Sequence, residues 1–206
     1  MTKTKTLLQA QDIHKSYRRV HVLHGASLTI QPGEIVGLVG ENGSGKSTFM
    51  KILVGLLKHD GGDVQVNGQY AYCPQDPLVF DGLTMKENIV YFSAAYGLSA
   101  QEGLARGEAL LERLNCKKFE SRPAGQLSGG TRQKLNLIIS LLCQPNLLFL
   151  DEPYQGFDYE SYLIFLDLVR EMAQAGRSAL VVSHMVHDHH QLSRIYKMQE
   201  GRTVHD

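Results

Sequence analysis

With 206 residues, 43% of them apolar and 20% charged, the chain has material for one large domain or two small ones around a buried core. Its 21 basic and 21 acidic side chains cancel, which excludes a global electrostatic pull toward nucleic acid or anionic lipid. The opening MTKTKTLLQAQD lacks an apolar run of signal-peptide length, and nowhere do the roughly 18 consecutive apolar residues of a membrane span occur, so a soluble, cytosolic chain is expected.

From 20 to 30 the even positions are mostly apolar (Val20, Val22, Ala26, Leu28, Ile30), the alternation of a half-buried strand, with a break expected near Gly25. A turn at Pro32 and Gly33 leads into the continuous apolar run 35–39, as in a strand covered on both faces. Residues 46–57 predict a helix ending before Gly61 and Gly62. Between 77 and 126 buried-strand runs cease, and Leu104, Leu111 and Leu114 recur at helical spacing, which predicts a helical insertion. A helix over 131–143 stops ahead of Pro145, and two more apolar runs follow at 147–150 and 179–182. Between them Tyr162, Phe165, Leu166, Val169 and Met172 form one helical stripe, introduced by Asp158 and Glu160 and closed by Gly176. Buried strands separated by helices define an α/β fold.

The stretch Gly40, Glu41, Asn42, Gly43, Ser44, Gly45, Lys46, Ser47 fits GxxxxGK[ST] between an apolar strand and a helix, the context that motif requires. Its glycines let successive backbone N–H groups point into one concavity, and the following helix aims its positive end there. Lys46 can reach β- and γ-phosphates, and the Ser47 hydroxyl can ligate the Mg²⁺ that bridges them. This much says nucleoside triphosphate and leaves several classes of enzyme open, although the guanine-reading NKxD tetrad is absent.

The run at 147–150 ends in adjacent carboxylates, Asp151 and Glu152, and ligands of open α/β sheets bind beyond the carboxyl ends of strands. Asp151 is expected to hold the Mg²⁺ shell and Glu152 to orient or deprotonate the attacking water. His184, closing the last apolar run, should reach the same rim. His187, Asp188, His189 and His190 match no closed zinc spacing. Cys73, Cys116 and Cys143, odd in number and far apart, suit a reducing compartment and no CxxC site.

Leu127, Ser128, Gly129, Gly130, Thr131, Arg132, Gln133 closely resembles the signature motif of ABC-type ATPases, and the rest of that family's motifs follow in its order over nearly the whole chain. The resemblance implies a P-loop NTPase core with an N-terminal antiparallel β subdomain and a helical insertion subdomain. It reads 1–76 and 129–206 as the core and 77–128 as the helical part of a single domain. It makes Tyr17 the aromatic that stacks on adenine, and 40–48, including Thr48, the phosphate loop. Gln75 becomes the sensor linking γ-phosphate and Mg²⁺ to the insertion, and Asp158 and His184 complete the site. Ser128 and the N–H groups of Gly129 and Gly130 form a second anion site at a helix start, which in the family closes over the ATP of a partner subunit.

Two chains would then sandwich two nucleotides, the partner being a copy or a different cassette. Gln155, Gly156 and Phe157 depart from the family's usual small residue and Leu before Asp158, and Thr131 stands where Gln is commoner. By resemblance and size, the expected role is the ATP- and Mg²⁺-dependent subunit of a transporter, peripheral on the cytoplasmic face and docked to a separately encoded membrane subunit. The stretch from Pro74 to Leu98 leans this toward export. The alternative is a soluble ABC-type ATPase in nucleic-acid or cofactor-assembly work, although no nucleic-acid partner is expected.

Overall fold

The computed structural model describes residues 6–183 and 192–205. Their contacts divide into two compact units, one formed by residues up to Tyr72, Asn146–Glu152 and residues from Val169 on, the other by Cys73–Pro145 and Pro153–Leu168.

In the first unit β1 (Leu8–Tyr17), β2 (Val20–Ile30) and β4 (Gly61–Val66) make an antiparallel sheet in the order β2-β1-β4. Strands β3 (Ile35–Val39), β5 (Tyr70–Cys73), β6 (Leu147–Asp151), β7 (Ser178–Ser183), β8 (Arg194–Gln199) and β9 (Arg202–His205) make a six-stranded sheet in the order β5-β6-β7-β3-β8-β9. Here β3 runs parallel to both β7 and β8, β6 is parallel to β7, and β9 returns antiparallel to β8. Every residue of β6 and β7 is buried, as expected of strands covered on both faces. Leu8, Ile13, Leu28, Phe49, Phe149 and Leu180 are among the fully buried residues of the core.

The even phase expected for 20–30 holds only in its second half. Ala26, Leu28 and Ile30 are buried, but before Gly25 it is Leu23 that points inward, while His24 is exposed and Val20 is 64% exposed. The cause is a β-bulge: pairing with β1 slips between Ile13 and His14, whose partners are Ala26 and His24, so that Gly25, at φ +100°, is the extra residue of β2. An extra residue in a ladder flips the inward face of the residues beyond it.

Helix α1 (Lys46–Leu53) ends earlier than the sequence suggests. Gly55 at φ +76° and the bond from Leu56 N–H to Lys51 O (2.8 Å) close it with a left-handed cap. Gly61 and Gly62 instead open β4.

The second unit contains α2 (Met85–Ala95), α3 (Ala100–Arg113), α4 (Gly129–Leu142) and the first turns of α5 (Tyr159–Gln174). Capping boxes start α2 and α3: Thr84 and Ser99 accept from the N–H of Glu87 and Glu102, whose carboxylates accept in return from the Thr84 and Ser99 N–H groups. Of the leucine stripe, Leu111 and Leu114 are buried, but Leu104 is 36% exposed. The α2–α3 seam is made by Gly103 and Gly107, where a Cβ would lie 2.4 Å from Ser93 Cβ and 2.3 Å from Ile89 Cγ2.

Candidate functional site

The phosphate loop crosses from the end of β3 to the start of α1, with Gly40, Gly43 and Gly45 all at positive φ. Lys46 is only 6% exposed and lies back along its own loop, Nζ donating to Gly40 O (2.7 Å) and Glu41 O (2.9 Å). Burial pushes its pKa below the ordinary lysine range, partly opposed by the negative charges of Glu152 and Asp151. The ammonium, the loop and the two carboxylates thus share one electrostatic environment. Ser44 Oγ is buried with no hydrogen-bond partner among the described residues. Asn42 and Ser47 are exposed, and Thr48 is half-buried.

Asp151 ends β6 and is 4% exposed. Glu152 turns away from the strand at φ +50°, a left-handed conformation that a non-glycine residue rarely adopts, and its N–H donates to Val182 O at 3.1 Å. Strain of this kind, of order 1–3 kcal/mol, persists where the surroundings enforce it and collects at functional sites. Exposed Tyr17 closes the β1–β2 hairpin, paired with Val20, with Lys15 Nζ 5.8 Å from its ring centroid.

A glycine concavity, a poised ammonium, an orphaned hydroxyl and hard oxygens at Ser47 and Asp151 fit a triphosphate with Mg²⁺.

In the second unit Ser128 caps α4, its Oγ accepting from Thr131 N–H (3.3 Å) and lying 2.8 Å from Thr131 Oγ1. Gly129 and Gly130 form the first turn of that helix, so their N–H groups are among those a helix leaves unsatisfied. The backbone of Gly156, at φ +79°, lies directly against Gly130. Asp158 caps α5, Oδ1 accepting from Ser161 N–H (2.8 Å), and hydrogen bonds from the Ser161 hydroxyl and then its N–H hold the carboxyl below the usual range. Thr131, Lys134 and Asp158 line one cleft of about 700 Å³. Gln75 is exposed after β5. His184 and the polar run 187–190 lie outside the described residues.

Among the described residues no His/Cys/Asp/Glu group could hold a metal by itself, and no helix is long and apolar enough to cross a membrane. The three cysteines are buried and form no disulfide, and burial pushes the Cys116 and Cys143 thiols up, away from reactivity.

Two further positions carry no signal in the sequence. Tyr72 stands on β5 with its hydroxyl toward Asp151, and Asn88 lies fully buried beneath the loop after Gln75. Neither belongs to a pattern whose spacing carries chemistry.

The ABC transporter family model matches residues 23–155, from the bulged β2 through the phosphate loop to the turn after Glu152. The chain belongs to the ABC transporter family. It is 32% identical over 213 residues to the lipopolysaccharide export system ATP-binding protein LptB of Acidithiobacillus ferridurans, covering 96% of this chain and 88% of that one. To the linearmycin resistance ATP-binding protein LnrL of Bacillus subtilis it is 30% identical over 194 residues, 88% of this chain but 62% of the relative's length. A solved ATP-binding subunit of an ABC transporter superposes with a TM-score of 0.92 at 28% identity, covering 98% and 90% of the two chains. This ABC cassette therefore has the P-loop NTPase fold with its antiparallel β subdomain.

Proposed function

We propose that this cassette binds ATP with Mg²⁺, hydrolyses it, and through ATP-dependent pairing with a second cassette drives a separately encoded membrane subunit in export. The observation that carries the reading is Lys46: a buried ammonium held on its own loop's carbonyls, in the field of Asp151 and Glu152. Such an arrangement is stabilised by an incoming polyanion.

Lys46 exchanges the carbonyls of Gly40 and Glu41 for phosphate oxygens, and the loop N–H groups close around the same anion. Ser47 and Asp151 would hold Mg²⁺, which when bound neutralises charge developing on the transferred phosphoryl group. Glu152 accepts a proton from the attacking water, the direction in which its side chain leaves the chain set by its left-handed backbone. Tyr17 presents its exposed face to adenine. Gln75 and His184 report on the γ-phosphate.

Ser128, Gly129 and Gly130 offer a second anion site in a chain that already has a complete phosphate loop. The reading assigns them to the nucleotide of the partner cassette. ATP shared by both faces favours the closed pair by its differential affinity, and loss of the γ-phosphate removes it.

Docking to a membrane subunit is supported by the loop after Gln75. Leu78, Phe80, Val90 and Tyr91 are between 40% and 64% exposed, and the Phe80 ring sits edge-on to Tyr91 at 4.7 Å and stacked with Phe92 at 5.7 Å. A rigid apolar patch of this kind marks a protein contact. The name of the first relative above, a lipopolysaccharide export system ATP-binding protein, supports export.

The test is Glu152→Gln, followed by ATPase assay and size exclusion. The reading expects ATP binding, turnover reduced by at least about 100-fold, as for loss of a general base, and accumulation of a nucleotide-bound dimer. Turnover at the unmodified level would remove Glu152 from the chemistry.

A further inference from the structure

Tyr72 is on β5, beside β6 in the sheet and three residues before Gln75. Its half-buried ring packs against the hydrophobic core, so the position of its hydroxyl is set by packing. That hydroxyl lies 3.4 Å from Asp151 Oδ2. An ionised carboxylate only accepts and a phenol near its side can donate, so the direction of the contact is fixed. Asp151 is 4% exposed, which leaves little water to perform the same service.

We propose that Tyr72 is a positioning residue for the metal-holding carboxylate: by occupying Oδ2 it limits rotation of the Asp151 side chain about the strand end. The inference rests on the reading above that Asp151 holds the Mg²⁺ of the nucleotide complex. Carboxylates that bind metals are oriented by outer hydrogen bonds whose removal typically costs about 10- to 100-fold in metal affinity. A contact of 3.4 Å is longer than a strong O–H···O bond, so the expected loss is at the lower end, about tenfold.

Tyr72→Phe removes only the hydroxyl and keeps the ring that packs on the core. The measurement is Mn²⁺ binding to the ATP-loaded protein by electron paramagnetic resonance, in the Glu152→Gln background so that nucleotide persists. It is paired with ATP affinity in EDTA and with Asp151→Asn as a companion. The proposal expects Mn²⁺ affinity to fall about tenfold in Tyr72→Phe, more in Asp151→Asn, and no further in the double variant than in Asp151→Asn alone, with ATP affinity in EDTA unchanged.

Unchanged Mn²⁺ affinity in Tyr72→Phe, with a loss in Asp151→Asn, overturns the role of Tyr72 and leaves the metal reading standing. An equal loss in EDTA also overturns it, because the hydroxyl would then shape the nucleotide pocket and not the carboxylate. If Asp151→Asn itself leaves Mn²⁺ binding intact, the reading and the inference fall together.

Discussion

Gly130, in the first turn of α4, packs directly on the backbone of Gly156: a Cβ built on Gly130 would lie 2.1 Å from the Gly156 carbonyl oxygen. The LSGG segment and the loop leading to Asp158 therefore meet main chain to main chain at this point, and the glycine at 156 supplies the φ of +79° that the contact needs. The unusual wording of that loop, Gln155-Gly156-Phe157, keeps the one small residue the packing requires.

Gly130→Ala should consequently leave the fold intact and disable pairing of cassettes. Alanine is the better helix former by up to about 1 kcal/mol, so α4 itself is not weakened. The added methyl must instead displace the 153–158 loop. In the Glu152→Gln background, ATP should still bind each chain, but the dimer peak in size exclusion should disappear. A dimer of unchanged stability would show that the Gly130–Gly156 contact is incidental to pairing.

Asn88 is a second side chain whose removal has a definite cost. It is fully buried, accepts from Phe80 N–H at 2.8 Å, and donates to the carbonyls of Phe80, Leu83 and Thr84 at 3.0–3.1 Å. Asn88→Ala leaves these groups without that partner, each at about 1–3 kcal/mol if water cannot reach it. The expected loss is about 3 kcal/mol by urea unfolding, accompanied by faster hydrogen exchange across 80–84. Because this loop carries Phe80, co-purification with a membrane subunit should fall as well. A loss below about 0.5 kcal/mol, the level of an ordinary surface change, would contradict the assignment.

How much can be read from sequence depends on how local each signal is. The phosphate loop, Asp151 and Glu152, and the capped start of α4 are contiguous motifs, and each lies at the strand or helix end its neighbours imply. The α1 boundary is misread because the Gly61-Gly62 pair is a louder stop signal than the single Gly55 that closes the helix. The β2 phase fails at a bulge that depends on β1, a partner no window over 20–30 contains. Leu104 has the spacing of a core residue, while the real α2–α3 seam is two glycines, which hydrophobic periodicity scores as nothing. Tyr72 and Asn88 act through a residue 79 positions away and through backbone groups respectively, so neither leaves a pattern in the chain.

The capping boxes make the helical unit sensitive to acid. Glu87 and Glu102 are held below the usual carboxylate range by bonds from Thr84 and Ser99. A carboxyl whose folded pKa is depressed contributes stability that is full above its unfolded pKa and is lost as pH falls through the folded value. Thr84→Ala should cost about 1 kcal/mol near neutrality, and the gap to the unmodified protein should narrow in acid, where Glu87 is protonated in both. Urea midpoints at the two pH values measure this; a gap that widens in acid would be inconsistent with the box.

Lys46 gives the opposite pH dependence, on nucleotide affinity. In the free cassette burial sets its pKa below the ordinary lysine range, while a bound triphosphate adjacent to the ammonium favours the charged form and raises it. Affinity should therefore be full below the free-state value and decline as pH climbs from there toward the bound-state value, by at most about tenfold per pH unit within that window. Proton uptake should accompany ATP binding in the same window, read by calorimetry in buffers of different ionisation enthalpy. Lys46→Arg, whose guanidinium does not titrate, should bind with a flat profile even if more weakly. Lys46→Ala should lose about 10- to 100-fold in affinity near neutrality, the worth of one charge-assisted contact. An unmodified cassette whose ATP affinity stays level far into the alkaline range, with no proton taken up, would mean that Lys46 does not meet the phosphates.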